Sequence, residues 1–232
     1  MPVADVDRKG SAVSDLPEVP TTAAETAEAA SPFDALGARY EQAFAELPEQ
    51  HEALDWLLER LAPGSAVLDV GSGTGRPAAE RLSAAGMRVL GIDVSATMVR
   101  LARERVPDAQ FRQDDARTFR SEPGSWDAVC AFFALLILSR PQLDACLRRL
   151  ADWLAPGGHL VFAAALADVA EAEVSFFGSP VRVSSYPAEG YLDRLREAGL
   201  RIERTRIAWF KPDDPDADPE PQLFCCASKP AG

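Results

Sequence analysis

The sequence predicts an α/β fold built on a seven-stranded, mainly parallel sheet, with helices on both faces and an antiparallel last strand. From residue 66 onward, short apolar runs alternate with helical patterns, as expected of repeated strand–helix units. The first apolar run breaks into three alternating glycines, which is typical of a tight turn at the end of a buried strand. Only the acidic loop 212–221 separates the last two runs, so these two strands are predicted to pair antiparallel.

Each element follows from a local pattern. Strands are predicted at 66–70, 88–93, 110–113, 126–132, 159–165, 202–211 and 223–227. Helices are predicted near 77–85, 96–105, 142–154 and 188–198, where apolar residues recur at helical spacing.

The chain before the sheet divides into a tail and two helices. Residues 1–30 are rich in Ala, Thr, Glu, Pro and Asp and contain no aromatic residue, so they are predicted to form a disordered acidic tail. The remaining residues, 31–232, are predicted to form one domain. Leu36, Tyr40, Phe44 and Leu47 recur at spacings of three and four and indicate an amphipathic helix, and Pro48 begins a second.

Residues 168–186 do not fit the alternation of strands and helices. They contain apolar side chains separated by the breakers Gly178 and Pro180. We expect this insertion, between the fifth strand and its helix, to cover the mouth of a pocket.

Composition and charge exclude several classes of protein. The chain has 232 residues, 47% of them hydrophobic and 26% charged, and a net charge of −12. That charge argues against a nucleic-acid partner, and no apolar run reaches the roughly 20 residues that span a membrane. No signal peptide is visible, so a cytoplasmic location is expected. Four scattered cysteines and two histidines predict neither a disulfide framework nor a metal site.

The run from Val67 to Gly75 is the strongest functional signal. A buried strand, a glycine turn and a helix N-terminus in succession are typical of a small-molecule site at the carboxyl end of a sheet. Gly71, Gly73 and Gly75 are expected to let the backbone approach that ligand closely.

Two acidic positions follow the next two strands. Asp93 is expected to accept hydrogen bonds from the hydroxyls of a ribose, with capping of the following helix as the alternative. Asp115, beside Ala116, is favoured over Asp114 as an acceptor for the exocyclic amine of an adenine.

These positions together resemble those of the class I S-adenosylmethionine-dependent methyltransferases, from about Phe33 to the C-terminus. The matching motifs are VLDVGSGTG, GIDVS, DDA, WDAV and LAPGG, in the family's order and spacing. A dinucleotide fingerprint fits less well, because Arg76 replaces the third glycine and the DDA and PGG motifs would have no role. The resemblance implies a Rossmann-like fold with an N-terminal helical lid and S-adenosyl-L-methionine as cofactor.

The resemblance also implies which residues bind the cofactor. Asp69 is expected to hold its amino group, and Val94 and Met98 to contact the adenine unless they serve only in packing. The full set of expected cofactor-binding residues is Tyr40, Asp69, Gly71, Ser72, Gly73, Gly75, Asp93, Val94, Met98, Asp115, Ala116 and Ala131.

The acceptor side is less clearly marked. Apolar aromatic residues are expected to line it, namely Phe132, Phe133, Phe177 and Tyr186. His51 and His159 are not expected to act as a base, and no catalytic residue is identified. The sequence therefore predicts methyl transfer to a small molecule, in secondary metabolism, with a homodimer or partner subunit possible. The alternative is a methyltransferase-like protein that binds the cofactor but catalyses another reaction or serves as a partner subunit.

Overall fold

The computed structural model describes residues 21–37, 47–176, 179–211 and 219–231. The helices are α1 (Ala23–Leu36), α2 (Pro48–Leu58), α3 (Ala78–Ala84), α4 (Ala96–Arg105), α5 (Arg140–Trp153) and α6 (Ala188–Glu197). The strands are β1 (Ala66–Val70), β2 (Arg88–Asp93), β3 (Gln110–Gln113), β4 (Trp126–Phe132), β5 (Leu154–Ala165), β6 (Ala172–Phe176), β7 (Ser179–Val183), β8 (Arg201–Phe210) and β9 (Glu220–Ser228).

The main sheet has the predicted architecture. Its strand order is β3-β2-β1-β4-β5-β9-β8. The pairs from β3 to β5 are all parallel, whereas β9 runs antiparallel to both β5 and β8. The order reverses between β1 and β4, and the crevice outside the carboxyl ends of such a pair is where ligands bind in open α/β sheets.

Two apolar clusters, one on each face, hold the helices to the sheet. On one face, residues of α2, α3 and α4 such as Leu54, Leu82 and Val99 pack on the strands. On the other, residues of α5 and α6 such as Leu147 and Leu195 do so. The central strands are covered on both sides, which is why β1 and β4 show continuous apolar runs rather than alternation.

The insertion at 168–186 forms a β-hairpin outside the main sheet. Strands β6 and β7 pair antiparallel with each other. The Ser184 N–H donates to the carbonyl of Leu136, and the Ser185 N–H to that of Val169, each at 2.8 Å. The first bond links the insertion to the loop after β4, and the second joins the two ends of the insertion. Phe177 lies outside the described residues.

The N-terminal boundary differs from the prediction. Residues 23–30, assigned to the disordered tail, form the first turns of α1. A capping box explains this start, because the Thr22 side chain accepts from the Glu25 N–H while the Glu25 carboxylate accepts from the Thr22 N–H. Residues 1–20 and the predicted helical segment 38–46, with Tyr40, lie outside the described residues.

Within the described ranges, no helix is long and apolar enough to cross a membrane.

Candidate active site

The glycine turn after β1 lies where the strand order reverses. Gly71 has a φ of +67°, and a Cβ there would come within 2.4 Å of the Cβ of Ala134 in the loop after β4. Gly73 has a φ of +52°, but a Cβ there would meet nothing within 4 Å. The turn therefore needs glycine at residue 71 for packing, and residue 73 faces open space that a ligand could fill.

Gly75 lies close to protein side chains, and its expected contact with the ligand stays a prediction. Its φ is +81°, and an added Cβ would lie 3.0 Å from the side chains of Phe111 and Val106. Gly75 therefore packs against the protein, and it does not line the two cavities beside the turn.

Those two cavities meet at the turn. The first, the β2 cavity, lies beside the end of β2 and the DDA segment, and the second, the α2 cavity, lies beside the start of α2 and measures about 240 Å³. Gly71, Gly73, Phe132 and Phe133 line both. Besides these, the β2 cavity is lined by Ala29, Phe33, Ile92, Asp93, Val94, Met98, Asp114, Asp115, Ala116, Arg117, Ala134, Ile137 and Leu138. The α2 cavity is also lined by Leu47, Gln50, His51, Asp69, Ser72, Thr74, Arg76, Pro77, Ala78 and Glu80.

Asp93 connects the turn to the next helix. Its Oδ2 accepts from the N–H of Gly73 at 2.8 Å, and its Oδ1 accepts from the N–H of Ser95 at 2.9 Å. Burial raises the pKa of the Asp93 carboxyl, although these two hydrogen bonds act in the opposite direction. The hydrogen bond from Ser95 corresponds to the alternative role of Asp93, capping of the following helix. The hydrogen bond from Gly73 holds the same carboxylate beside the cavities at the glycine turn.

Asp69 places an unsatisfied carboxylate oxygen in the site. Its side chain is buried, and its Oδ2 has no hydrogen-bond partner among the described residues. Burial, reinforced by the nearby carboxylate of Asp93, raises the pKa of Asp69 to about 7. The hydroxyl of Ser72 is buried in the same cavity and also lacks a described partner. Two such oxygens can accept from a donor group of a ligand.

Asp115 is already engaged by the protein. Its Oδ2 accepts from Nη2 of Arg117 at 2.7 Å and from the hydroxyl of Thr26 on α1 at 2.8 Å, and its Oδ1 accepts from the N–H of Arg117 at 2.9 Å. Burial would raise the pKa of Asp115, but the hydrogen bonds from Arg117 and Thr26 outweigh it and lower that pKa. An adenine amine would therefore have to share or replace one of these donors.

Helix α1 forms part of the wall of the β2 cavity beside the DDA segment. Ala29 and Phe33 line the cavity. Oδ1 of Asp34 accepts from the hydroxyl of Ser95 at 2.5 Å and from the N–H of Thr97 at 3.1 Å. The helix is thus held at the DDA segment by Thr26 and at the start of α4 by Asp34.

The aromatic pair after β4 forms the wall between the cavities. Phe132 is buried, and Phe133 is half-buried with a φ of +56°. A bulky residue in this left-handed region is an outlier of the kind that clusters at functional sites. The N–H of Phe133 donates to the carbonyl of Ala163 at 2.9 Å, and its ring makes an edge contact with that of Phe224.

Two expected site residues lie elsewhere. The side chain of Ala131 is fully buried in the apolar cluster beneath α5 and α6, since successive residues of β4 point to opposite faces. The ring of Tyr186 contacts the guanidinium groups of Arg140 and Arg194, and its hydroxyl donates to Asp144 at 2.9 Å. Neither lines the two cavities beside the turn, and ligand contact by Ala131 and Tyr186 stays a prediction.

The structure also adds residues that the sequence patterns did not indicate. Ile137 and Leu138 reach the β2 cavity from the loop after β4, and His51 and Gln50 reach the α2 cavity from the first turn of α2. Only His51 had a sequence signal, namely its place near the start of a helix. His159, by contrast, makes an edge contact with Trp56 and lies opposite Ala128, early in β4 and away from the site.

Comparisons with known proteins give one consistent result. A family model described as a methyltransferase domain matches residues 67–158. The chain is 36% identical over 104 residues to a demethylmenaquinone methyltransferase from Renibacterium salmoninarum, covering 44% of this chain and 41% of that one. It is 34% identical over 165 residues to methyltransferase GfsG from Streptomyces halstedii, and the match covers 63% of this chain and 57% of that one. It is 30% identical to a 27-O-demethylrifamycin SV methyltransferase from Amycolatopsis mediterranei, covering 69% and 67%. The matches thus span about two fifths to two thirds of these relatives.

Solved structures share the fold. A 1,6-didemethyltoxoflavin-N1-methyltransferase from Burkholderia thailandensis superposes with a TM-score of 0.68 at 18% identity, covering 94% of each chain. The [4+2]-cyclase SpnF superposes with a TM-score of 0.60 at 26% identity, covering 78% of this chain and 82% of that one.

Proposed function

Because the chain belongs to the class I S-adenosylmethionine-dependent methyltransferases, we propose that it transfers a methyl group from S-adenosyl-L-methionine to a small-molecule acceptor. When bound, that cofactor supplies an electrophilic methyl group on a positively charged sulfur. The single observation that carries the proposal is the unsatisfied carboxylate oxygen of Asp69 beside the glycine turn.

The residues present fit the cofactor. Asp69 and Ser72 offer buried acceptor oxygens in the α2 cavity, which suit the amino group of a methionine. Asp93 offers a carboxylate at the end of β2, which suits ribose hydroxyls. Val94 and Met98 give the β2 cavity an apolar wall beside the DDA segment, which suits an adenine ring.

The aromatic wall between the cavities supplies the remaining requirement. Phe132 and Phe133 line both cavities and give their junction an apolar wall. Such a wall helps to hold two reactants in fixed orientation, and orientation alone can supply several kcal/mol, on the order of 7 or more in good cases. The proposal requires a general base only where the acceptor must lose a proton on methylation.

Charge and relatives support a small acceptor. The net charge of −12 disfavours a nucleic acid. Two of the relatives are named for demethylmenaquinone and demethylrifamycin, which are small molecules, and the second name suggests a role in secondary metabolism here. Residues 168–186 could cover the acceptor, since the hairpin and α1 line a further cavity.

Titration calorimetry of the full chain tests the proposal. S-adenosylhomocysteine, which cannot donate a methyl group, should bind the wild-type chain, and Asp93→Ala should weaken that binding at least tenfold. Asp108→Ala, at an exposed position before β3, is the matched control and should bind as wild type. If the wild-type chain does not bind S-adenosylhomocysteine, the proposal is wrong. A labelled methyl group and a panel of small metabolites then identify the acceptor.

A second candidate function rests on a specific observation. The structural neighbour SpnF is named as a [4+2]-cyclase, yet it is 26% identical to this chain over most of its length. The chain could therefore bind the cofactor and catalyse another reaction. Tight binding of S-adenosylmethionine, with no S-adenosylhomocysteine formed on any acceptor, would favour this second function.

A further inference from the structure

His51 is fixed by a neighbouring arginine in the wall of the α2 cavity. Nη1 of Arg81, on α3, lies 3.1 Å from Nδ1 of His51 and 3.1 Å from its carbonyl oxygen. Nη2 of Arg81 forms an ion pair with Asp55, one helical turn after His51 on α2. The guanidinium therefore contacts the imidazole, the backbone and a carboxylate of the same helix.

This contact determines which ring nitrogen carries the proton. A guanidinium has only donors, so Nδ1 of His51 must accept the hydrogen bond from Arg81. The proton of the neutral imidazole then lies on Nε2. His51 thus presents an N–H donor and has no free lone pair for use as a base.

The cavity around His51 indicates what this donor would bind. Nε2 makes no hydrogen bond with another described residue, although the half-buried ring lines the α2 cavity. The same cavity contains the unsatisfied carboxylate oxygen of Asp69, which suits a cationic group. A cavity that offers an N–H donor and a carboxylate fits a zwitterion, in which a carboxylate and an ammonium belong to one amino acid.

We propose that Arg81 is a positioning residue, which holds His51 as an Nε2–H donor to the carboxylate at the methionine end of the cofactor. The identity of that carboxylate rests on the proposed function, whereas the state of the imidazole does not. His51 therefore takes part in binding and orientation, and it does not remove a proton from the acceptor.

The state of the imidazole can be measured without any ligand. The chain contains two histidines, so nitrogen NMR of the labelled full-length protein gives two imidazole signal sets, and His51→Gln identifies which belongs to His51. We expect His51 to show an unprotonated Nδ1 and a protonated Nε2 at neutral pH. In Arg81→Met, both tautomers should become populated. A protonated Nδ1 in the wild-type chain would overturn the proposal.

Binding measurements test whether His51 donates to the carboxylate at the methionine end of the cofactor. S-adenosylhomocysteine carries the methionine end, and 5′-methylthioadenosine lacks its amino and carboxyl groups. His51→Leu should weaken S-adenosylhomocysteine about tenfold, as expected for a lost hydrogen bond to a charged group, and leave 5′-methylthioadenosine unchanged. His51→Gln keeps an N–H donor and should restore most of the affinity. Arg81→Met should weaken S-adenosylhomocysteine by roughly threefold, as expected when a donor loses its fixed orientation.

A control variant and the two ligands distinguish a failure of the assigned carboxylate contact from a failure of the proposed function. Arg100→Met removes an exposed ion pair with Glu104 on α4 and should bind both ligands as wild type. Equal weakening of both ligands in His51→Leu, or no weakening of either, would overturn the assigned carboxylate. A wild-type chain that binds neither ligand would contradict the proposed function and the carboxylate together, while the nitrogen signals would still report whether Arg81 holds the tautomer.

Discussion

The N–H of Gly73 donates to Oδ2 of Asp93 at 2.8 Å, so the turn after β1 and the end of β2 are joined by one carboxylate. The other oxygen of Asp93 accepts from the N–H of Ser95 at the start of α4. A single side chain thus sets the position of two backbone segments that line the β2 cavity.

Replacing Asp93 should therefore affect stability as well as binding. Asp93→Ala leaves two backbone N–H groups without their acceptor, and an unsatisfied buried donor costs about 1–3 kcal/mol. Asp93→Asn keeps one acceptor oxygen and should lose less. Urea unfolding measures both variants, with Asp108→Ala as the reference. A fall in affinity for S-adenosylhomocysteine without any loss of stability would contradict the structural part of this role.

Asp69 should make binding and stability depend on pH in opposite ways. Its pKa is raised from 3.8 to about 7 in the folded chain. Between these values the folded chain binds a proton at Asp69 that the unfolded chain does not, so this contribution to stability is lost as pH rises towards 7. An ammonium ligand needs the charged carboxylate, so affinity for S-adenosylhomocysteine should rise between about pH 6 and pH 8.

Asp69→Asn is the matched variant for this pH dependence. The Asn side chain has the same shape and does not titrate. The changes of stability with pH and of affinity for S-adenosylhomocysteine with pH should therefore both be smaller than in the wild type. Urea unfolding between about pH 4 and pH 7 measures the stability slope, and calorimetry between about pH 6 and pH 8 measures the affinity slope. Identical slopes in the two proteins would show that Asp69 does not titrate there.

Alanine substitutions at three glycines distinguish a role in packing from a role in ligand binding. Gly71→Ala places a Cβ within 2.4 Å of Ala134 and should destabilise the fold by about 2 kcal/mol or more. Gly73→Ala and Gly86→Ala share a positive φ and open surroundings, so each should cost about 1 kcal/mol. Of the last two glycines, only Gly73 lines the cavities, so of these two variants only Gly73→Ala should also lose affinity for S-adenosylhomocysteine. Equal affinity of Gly73→Ala and Gly86→Ala for S-adenosylhomocysteine would show that the glycine turn does not contact the ligand.

The sequence predicts the sheet well because its signals are local. Buried strands appear as apolar runs, and the absence of a helix before β9 predicts its antiparallel pairing, which is confirmed. Helix α1 was missed because its capping box, Thr22 with Glu25, is embedded in a composition that suggests disorder.

The site is less predictable because it depends on tertiary contacts. An aromatic residue in an apolar insertion suggests a pocket, but Tyr186 packs against two arginines from α5 and α6. The sequence suggests that the Asp115 carboxylate is a free acceptor, but Arg117, two residues later, donates a hydrogen bond to it. The contact between Arg81 and His51 joins two helices, and no spacing within one helix could reveal it.

The pairing of Asp115 with Arg117 and Thr26 gives the last prediction. Arg117→Met leaves a buried carboxylate with only neutral partners, and such a loss costs about 3–5 kcal/mol. The pKa of Asp115 is lowered in the folded chain, so its stabilising contribution is present above the ordinary value of 3.8 and lost as pH falls through the lowered folded value. The stability difference between wild type and Arg117→Met should therefore shrink on acidification.

Thr26→Val decides whether Asp115 also meets an adenine amine. The variant removes one neutral hydrogen bond and should cost about 1 kcal/mol of stability. If the amine replaces the Thr26 hydroxyl on Oδ2 of Asp115, removal of the hydroxyl should raise the affinity for S-adenosylhomocysteine severalfold. Thr97→Val, which keeps the backbone N–H that donates to Asp34 and does not touch Asp115, is the control. Unchanged affinity in Thr26→Val would mean that Asp115 serves Arg117 and the fold, since the hydroxyl then competes with nothing in the ligand.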